Sequence, residues 1–406
     1  MAQDAPAQAH AAQAQVALPR LGLLREMTDR AVLDRIFATG RTTRAELSSH
    51  TGISKPTISE SVRRLTAAGV LRDSGSDQTG RRGRIATFYE VAPDAGYVLA
   101  VEVDQQGIHT LAANLAGDTV DQRRHHAVRP GDRAALAAAL RDTVRETVAA
   151  AVVHGPPRAV AVSVANPVDP VTREVIALPD SPFPEGRVPV REILAQGSAA
   201  ALAGVPLLVD NDVNFSALAE RRSGVASTAE SFVYLYLAAG LGMSFHLGDQ
   251  LVRGAHGLAG EIGYLGARSG ADPAAAPVGL AAAIAGLGFG RPDGPALDVD
   301  AILRVLDLAE AGDAEARVAV RGLGATIARA VAAACAIVDP ELVVLGGPVG
   351  AHPGVLEPIR ATVASSALAP VRIEPGAVTA FAPLRGALVS ALDTGRAGLL
   401  TLSGTA

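Results

Sequence analysis

The hydrophobic period of this chain changes once, near residue 95, and that change dictates its architecture. Before it, apolar residues recur at helical spacing in short segments broken by turn residues. After it, they alternate in strand-length runs joined by tight turns and punctuated by long helical stretches. Blocks of different period call for separate cores, and 406 residues suffice for two or three domains. The reading is a small helical head on a larger α/β body.

In the head, Leu33, Ile36 and Phe37 fall on one helical face and Gly40 follows as a stop. Thr43 and Glu46 have capping-box spacing, which starts a second helix over about 43–50. The turn His50-Thr51-Gly52-Ile53 places glycine where a positive φ costs little, and Ser54 is a good N-cap for a third helix. Ile58, Val62 and Leu65 form its buried stripe, so Lys55, Thr57, Ser59 and Arg63 point away. After Gly69, two short strands flank a Gly- and Arg-rich tip containing Arg81, Arg82 and Arg84. This order of elements is that of a winged helix-turn-helix spanning residues 21–91.

Charge supports a polyanion partner for the head alone. The whole chain carries a net charge of −5, yet residues 20–90 hold 13 Lys and Arg against 8 Asp and Glu, leaving the rest strongly acidic. Short polar side chains at the start of such a helix reach base edges in a major groove, and arginines on a flexible wing suit a narrow minor groove. Ser54, Lys55, Thr57, Ser59, Arg63, Arg81, Arg82 and Arg84 are therefore the candidate contacts to double-stranded DNA. A solvated charge run on an ordinary helical domain is the plainer alternative. The ordered combination of capping box, Gly turn, Ser cap, apolar stripe and Arg wing favours DNA.

In the body, three strand-like runs from Tyr97 to about residue 128 precede a helix over DRAALAAALRDTVRETVAAAVV. Then come AVAVSVA (strand), REILAQGSAAALAG (helix), PLLVDND (strand) and NFSALAERRSG (helix). A second hairpin set, SFVYLYLA and GMSFHLGDQLV, opens another such series, closed by an Ala-rich helix over about 316–338 and the strand ELVVLGG. Two βββαβα-like units imply two similar lobes with a cleft between them. Ligands in such lobes sit at the carboxyl ends of strands, which singles out Asn166, Asn211-Asp212, Gly240-Leu241-Gly242, Gly260-Glu261 and Gly346-Gly347.

Two scarce residue types exclude whole chemistries. One cysteine, Cys335, makes no internal disulfide or Cys-based zinc cluster, and its apolar surroundings mark it as packing. The only lysine, Lys55, lies outside any Walker A frame, which excludes P-loop nucleotide chemistry. Residues 1–20 lack the basic and apolar regions of a secretory signal and read as a disordered tail. No run reaches the roughly 18 consecutive apolar residues of a membrane span. The expected compartment is the cytoplasm, with no membrane partner.

Five segments together, SKPTISESVRRLTAAGVL, the GRRGR wing, VDNDVNFSALAE, GAHGLAGEIGYLG and ELVVLGGPVG, resemble the ROK family of repressors, open reading frames and kinases. The match is to its winged-helix members of the N-acetylglucosamine- and xylose-repressor kind, and it covers the chain from about residue 22. The resemblance implies an α/β, actin-like (ribonuclease H-like) sugar-kinase-type body over 92–406. Lobe 1 would take about 92–205 plus a C-terminal helix at about 386–403, and lobe 2 about 206–385. It matches Asp212 to the family's catalytic base, Asn211 to its sugar-binding neighbour and Glu261 to a sugar-hydroxyl acceptor. Asn166 and Asp180 match positions near the family's sugar loop.

Both of the family's phosphate loops are altered. Where the kinases have Asp-x-Gly-Gly-Thr, this chain has Glu102-Val103-Asp104-Gln105-Gln106, adding an anion beside the place of a triphosphate. Where they have Gly-Thr-Gly, it has Ala238-Ala239-Gly240, without the hydroxyl. The family's zinc cluster is likewise absent: Tyr264 stands at the His position, and no thiol follows in GARSGADPAAAPVGLAAA. Tyr264 hydrogen-bonds a sugar hydroxyl or packs, and Asp212 holds a ligand or caps a helix starting near Asn214; both pairs stay open. His256 reads as polar surface. The expectation is a sugar-responsive transcription regulator, a repressor of carbohydrate genes. It would bind operator DNA as a homodimer or homotetramer, take a sugar or sugar phosphate as effector, and lack cofactor, metal and kinase activity. The alternative is an active sugar kinase with an appended DNA-binding head.

Overall fold

The chain divides into two units, one running to Ala92 and including the residues from Leu399 onward, the other Pro93–Gly398. The structure, a computed structural model, describes residues 21–403 apart from 78–85, 105, 127–131, 179–188, 197–200, 268–277, 293 and 367–369. The expected tail, the wing arginines Arg81, Arg82 and Arg84, and Asp180 lie outside the described residues.

The first unit contains α1 (Leu21–Thr39), β1 (Arg41–Thr43), α2 (Arg44–Thr51), α3 (Lys55–Ala67), β2 (Leu71–Asp77) and β3 (Ala86–Val91). Thr43 and Glu46 form a complete capping box: each side chain accepts the other residue's backbone N–H. Gly52 ends α2 at φ +70°, and the Ser54 hydroxyl accepts the Thr57 N–H to start α3. Ile58, Val62 and Leu65 of α3 are buried, as are Val32, Leu33 and Ile36 of α1 and Leu47 of α2. A polar tie reinforces this core. Buried Asp29 on α1 accepts hydrogen bonds from Ser61 and, at 2.6 Å, from Arg64, both on α3. β1, absent from the sequence reading, has only three residues and completes an antiparallel sheet in the order β1-β3-β2.

The second unit opens with β4 (Tyr97–Asp104), β5 (Gly107–Asn114), β6 (Thr119–His126), α4 (Arg133–Ala151), β7 (Pro157–Val164), α5 (Val190–Ala195) and β8 (Leu207–Asn211). Next come α6 (Asp212–Ser223), β9 (Ser231–Leu237), β10 (Leu241–Leu247), β11 (Gln250–Val252), and the short pair β12 (Gly266–Ala267) and β13 (Val278–Gly279). It continues with α7 (Leu280–Ile284), α8 (Val299–Glu310), α9 (Ala314–Val338), β14 (Leu342–Gly346), α10 (Gly347–Gly350), α11 (Pro353–Ser366) and β15 (Arg372–Pro375). α12 (Ala382–Ser403) ends the series, and its residues from Leu399 are counted with the first unit.

Two five-stranded sheets share one topology, β6-β5-β4-β7-β8 and β11-β10-β9-β14-β15. In each, an antiparallel meander is extended by two parallel strands beside its first member. This is a duplicated α/β half. The first core joins Leu99, Val101 and Ile108 to Leu140 and Val144 of α4. The second joins Val233, Leu235 and Val343 to Leu323, Ile327 and Val331 of α9. α9 alone among the described helices has the length and apolarity to cross a membrane, but these residues pack it as a core helix. Cys335 is a partly buried free thiol packed against the same core.

The structure moves several expected boundaries. β8 pairs with β7, so residues 207–211 belong to the first half and the division falls after Asn211 rather than at 205. α12 begins at Ala382, four residues before the expected start. There it lies so close to α6 that a side chain on Gly386 would strike the Phe215 carbonyl, and further on Arg396 donates to the Leu115 carbonyl of the first half. Of the helix expected over 191–204, Val190–Ala195 is α-helical, and residues 197–200 lie outside the described set. β15 was not expected; it is a four-residue edge strand ending in proline.

Candidate functional site

On the first unit, α3 presents Lys55 and Thr57 exposed at its first turn and Ser59 half-buried one turn on. Ser54 and Thr57 share a 2.8 Å hydroxyl–hydroxyl hydrogen bond, so the cap and the candidate base contact form one element. Arg63 is exposed but engaged by Glu60 through two hydrogen bonds of 3.0 and 2.6 Å. A phosphate contact by Arg63 must displace that surface pair, which is an inexpensive exchange.

On the second unit, polar groups converge where the two halves meet. Glu102 and Asp104 stand at the end of β4, Asn166 follows β7 and is buried, and Asn211 ends β8. Asn211 is the N-cap of α6: its side-chain oxygen accepts the Val213 N–H at 2.9 Å. Asp212 is the first helical residue, its carboxylate also accepting the Val213 N–H, which settles the cap in favour of Asn211 and starts the helix two residues earlier than expected. Glu261 arrives from the second half, after the loop following β11.

These carboxyls raise one another's proton affinity. Burial pushes Glu102 up to about 8, with the charges of Asp104 and Asp212 adding to it. Burial and Asp104 raise Asp212 to about 7 against its hydrogen bond from Val213, and burial and Asp212 raise Glu261 to about 7. The Tyr236 hydroxyl at the end of β9 is likewise pushed up by burial and then by Asp212. His109 on β5 is buried, its proton affinity lowered by desolvation, and its ring stands 3.9 Å from a Glu102 oxygen, beyond hydrogen-bond reach. Burial thus disfavours the charged form of both Glu102 and His109. Sequence reasoning singled out neither His109 nor Tyr236, because inward-facing strand residues read as core.

The two altered turns are closed upon themselves. The Asp104 carboxylate accepts the N–H groups of Gln106 at 2.7 Å and Gly107 at 3.0 Å. The Ala239 carbonyl accepts the Leu297 N–H at 2.8 Å, and the Ala238 N–H donates to Gly240. Tyr264 is about half exposed and His256 exposed; residues 268–277, where the family's zinc cluster would lie, are outside the described set. Among the described residues no group of three or more His, Cys, Asp or Glu has a metal-holding arrangement.

A winged helix-turn-helix followed by a duplicated α/β body with carboxylates where its halves meet is the architecture of a winged-helix head on a sugar-kinase-type fold. Residues 98–393 match the ROK family profile and residues 27–72 a winged helix-turn-helix DNA-binding profile. The chain belongs to the ROK family. It is 24% identical over 244 residues to the xylose repressor of Caldicellulosiruptor bescii, covering 60% of this chain and 59% of that protein. It is 32% identical over 195 residues to the bifunctional enzyme NanE/NanK of Brucella suis, covering 47% of this chain and 34% of that one. The chain thus spans at most about three-fifths of the length of these curated relatives. A crystal structure of a ROK family transcriptional regulator, a homolog of the E. coli MLC protein, shares the fold with a TM-score of 0.70 at 18% identity, over 94% of this chain and 99% of that one.

Proposed function

We propose that this protein is a cytoplasmic, sugar-responsive transcription regulator, a repressor of carbohydrate genes, without kinase activity. α3 and the wing bind operator DNA through Ser54, Lys55, Thr57, Ser59, Arg63, Arg81, Arg82 and Arg84. Asn166, Asn211, Asp212, Glu261 and Tyr264 hold a sugar or sugar phosphate. Such a regulator acts as a homodimer or homotetramer on an inverted repeat. The sugar works by its differential affinity for two arrangements of the body. The xylose repressors among the relatives support the regulatory reading, and the Brucella relative, named as an enzyme, keeps the kinase alternative in view.

One observation carries the choice between them. The Asp104 carboxylate takes up both N–H groups, of Gln106 and Gly107, in the turn the family's kinases use for phosphate. A phosphate oxygen seeking those donors must displace an anion already bonded to them and then sit beside it. Asp212, with its raised proton affinity, serves instead as a hydroxyl partner for sugar.

The test has two arms. The purified protein is titrated with duplex DNA flanking its own gene, with and without a panel of pentoses, hexoses, amino sugars and their phosphates. The same panel is incubated with MgATP. The expected result is sequence-selective DNA binding altered by at least one sugar, with no ADP formed. Sugar-dependent ADP formation that disappears in Asp212→Asn would establish the kinase instead.

A further inference from the structure

Glu261 reaches the junction on a loop with little packing of its own. Residues 254–260 are Gly-Ala-His-Gly-Leu-Ala-Gly, with His256 and Leu258 exposed. The loop is tied at its far end, where Gly260 accepts the Met243 N–H at 2.9 Å. In the middle, Gly257 lies so close to the Val168 carbonyl of the first half that any side chain there would strike it. At its base stands Arg253, whose carbonyl accepts the Ala259 N–H and closes the loop on itself.

The Arg253 side chain does more. Its Nε and a terminal nitrogen donate to one oxygen of Asp210 at 2.8 and 2.5 Å. Asp210 is buried in β8 of the first half, and its other oxygen accepts the backbone N–H of Asn211 and the side-chain amide of Asn214, both at 2.8 Å. One carboxylate therefore fastens the corner that presents Asn211 and Asp212 to the base of the loop that presents Glu261. All four of its contacts are directional, and two come from a planar guanidinium whose geometry lysine does not reproduce.

We infer that Arg253 is a positioning residue for the sugar site, fixing through Asp210 the spacing between Asp212 and Glu261 and so which arrangement of hydroxyls is accepted. This rests on the reading that the junction holds a sugar. A sugar bridging two acceptors registers their separation, so loosening the clamp costs affinity and, more tellingly, blurs discrimination between epimers.

The experiment uses the full chain and the neutral sugar that binds the wild type best, with its weakest-binding epimer for comparison, by calorimetry. Arg253→Gln is expected to weaken the preferred sugar by about tenfold or more and to shrink the preference between epimers, with Arg253→Lys in between. Adding Asp210→Asn to Arg253→Gln is expected to cost less than twofold further, because the two residues act as one unit. Amide hydrogen exchange over 254–266 in the sugar-free protein is expected to quicken in both Arg253 variants, a readout that survives even if Arg253→Gln is too unstable for calorimetry. Wild-type affinity and epimer preference in Arg253→Gln, or unchanged loop exchange in Arg253→Lys, would overturn the proposal. A wild type that binds no sugar in the panel overturns the sugar reading itself, and this proposal with it.

Discussion

Replacing Glu102 by glutamine is expected to stabilise the larger unit at neutral and alkaline pH and leave it unchanged in acid. Glu102 is 7% exposed, and its proton affinity is raised to about 8 from an ordinary 4.5 by burial and by Asp104 and Asp212. A raised carboxyl favours the protonated folded state. Its contribution is fully present below pH 4.5 and is lost progressively as pH climbs toward 8, because the unfolded chain releases the proton first. At about 1.4 kcal/mol per pH unit, the penalty reaches at most ~3 kcal/mol at pH 7 and ~5 kcal/mol above pH 8. Glutamine keeps the shape of the protonated side chain and does not titrate. Urea unfolding between pH 4.5 and 9, followed by far-UV circular dichroism and by tyrosine fluorescence since the chain has no tryptophan, reads the difference. The two proteins should match near pH 4.5, with the variant ahead by a few kcal/mol at pH 8.5. Asp212 and Glu261 keep some slope in both curves. Parallel curves across the range would refute the account of the junction as a set of mutually raised carboxyls.

Two predictions concern the head. Ser54→Ala removes the oxygen that accepts the Thr57 N–H and bonds its hydroxyl; it should cost about 1 kcal/mol in thermal unfolding of the first unit and weaken operator binding in gel-shift titrations. Changing Arg81, Arg82 and Arg84 together to Ala should weaken binding to all DNA sequences alike and reduce the slope of log affinity against log salt, by up to about 3 if each meets a phosphate. Unchanged affinity and slope in that triple variant would remove the wing from the interface.

Local signals were legible in the sequence and distant pairings were not. The Thr43–Glu46 box, the Gly52 turn and the Ser54 cap are read within four residues, and each forms as the spacing predicts. The duplicated meander is visible because its leading strands are near-continuous apolar runs of strand length set off by turn residues. The Asp29 tie to Ser61 and Arg64 spans more than 30 residues, and the Asp210–Arg253 clamp spans 43; neither leaves a local pattern. β15 escaped notice because a four-residue edge strand ending in proline has too few residues to show alternation. At Asn211-Asp212, two adjacent residues are both good caps, and only the structure settles which one starts the helix. Asp104 was recognised as an unwelcome charge near phosphate, whereas its bonds to the turn amides give a second reason that residue type alone does not reveal.

The duplicated halves communicate through few covalent links. Among the described residues the backbone passes from one to the other at Asn211–Asp212, and again on the way into α12, where Phe381 adopts a left-handed φ of +52° with its ring 5.5 Å from that of His109. Asn211 and Asp212, proposed above to meet the sugar, are thus also the residues at which the chain leaves one half and enters the other, so a guest held there touches both halves through the covalent chain itself.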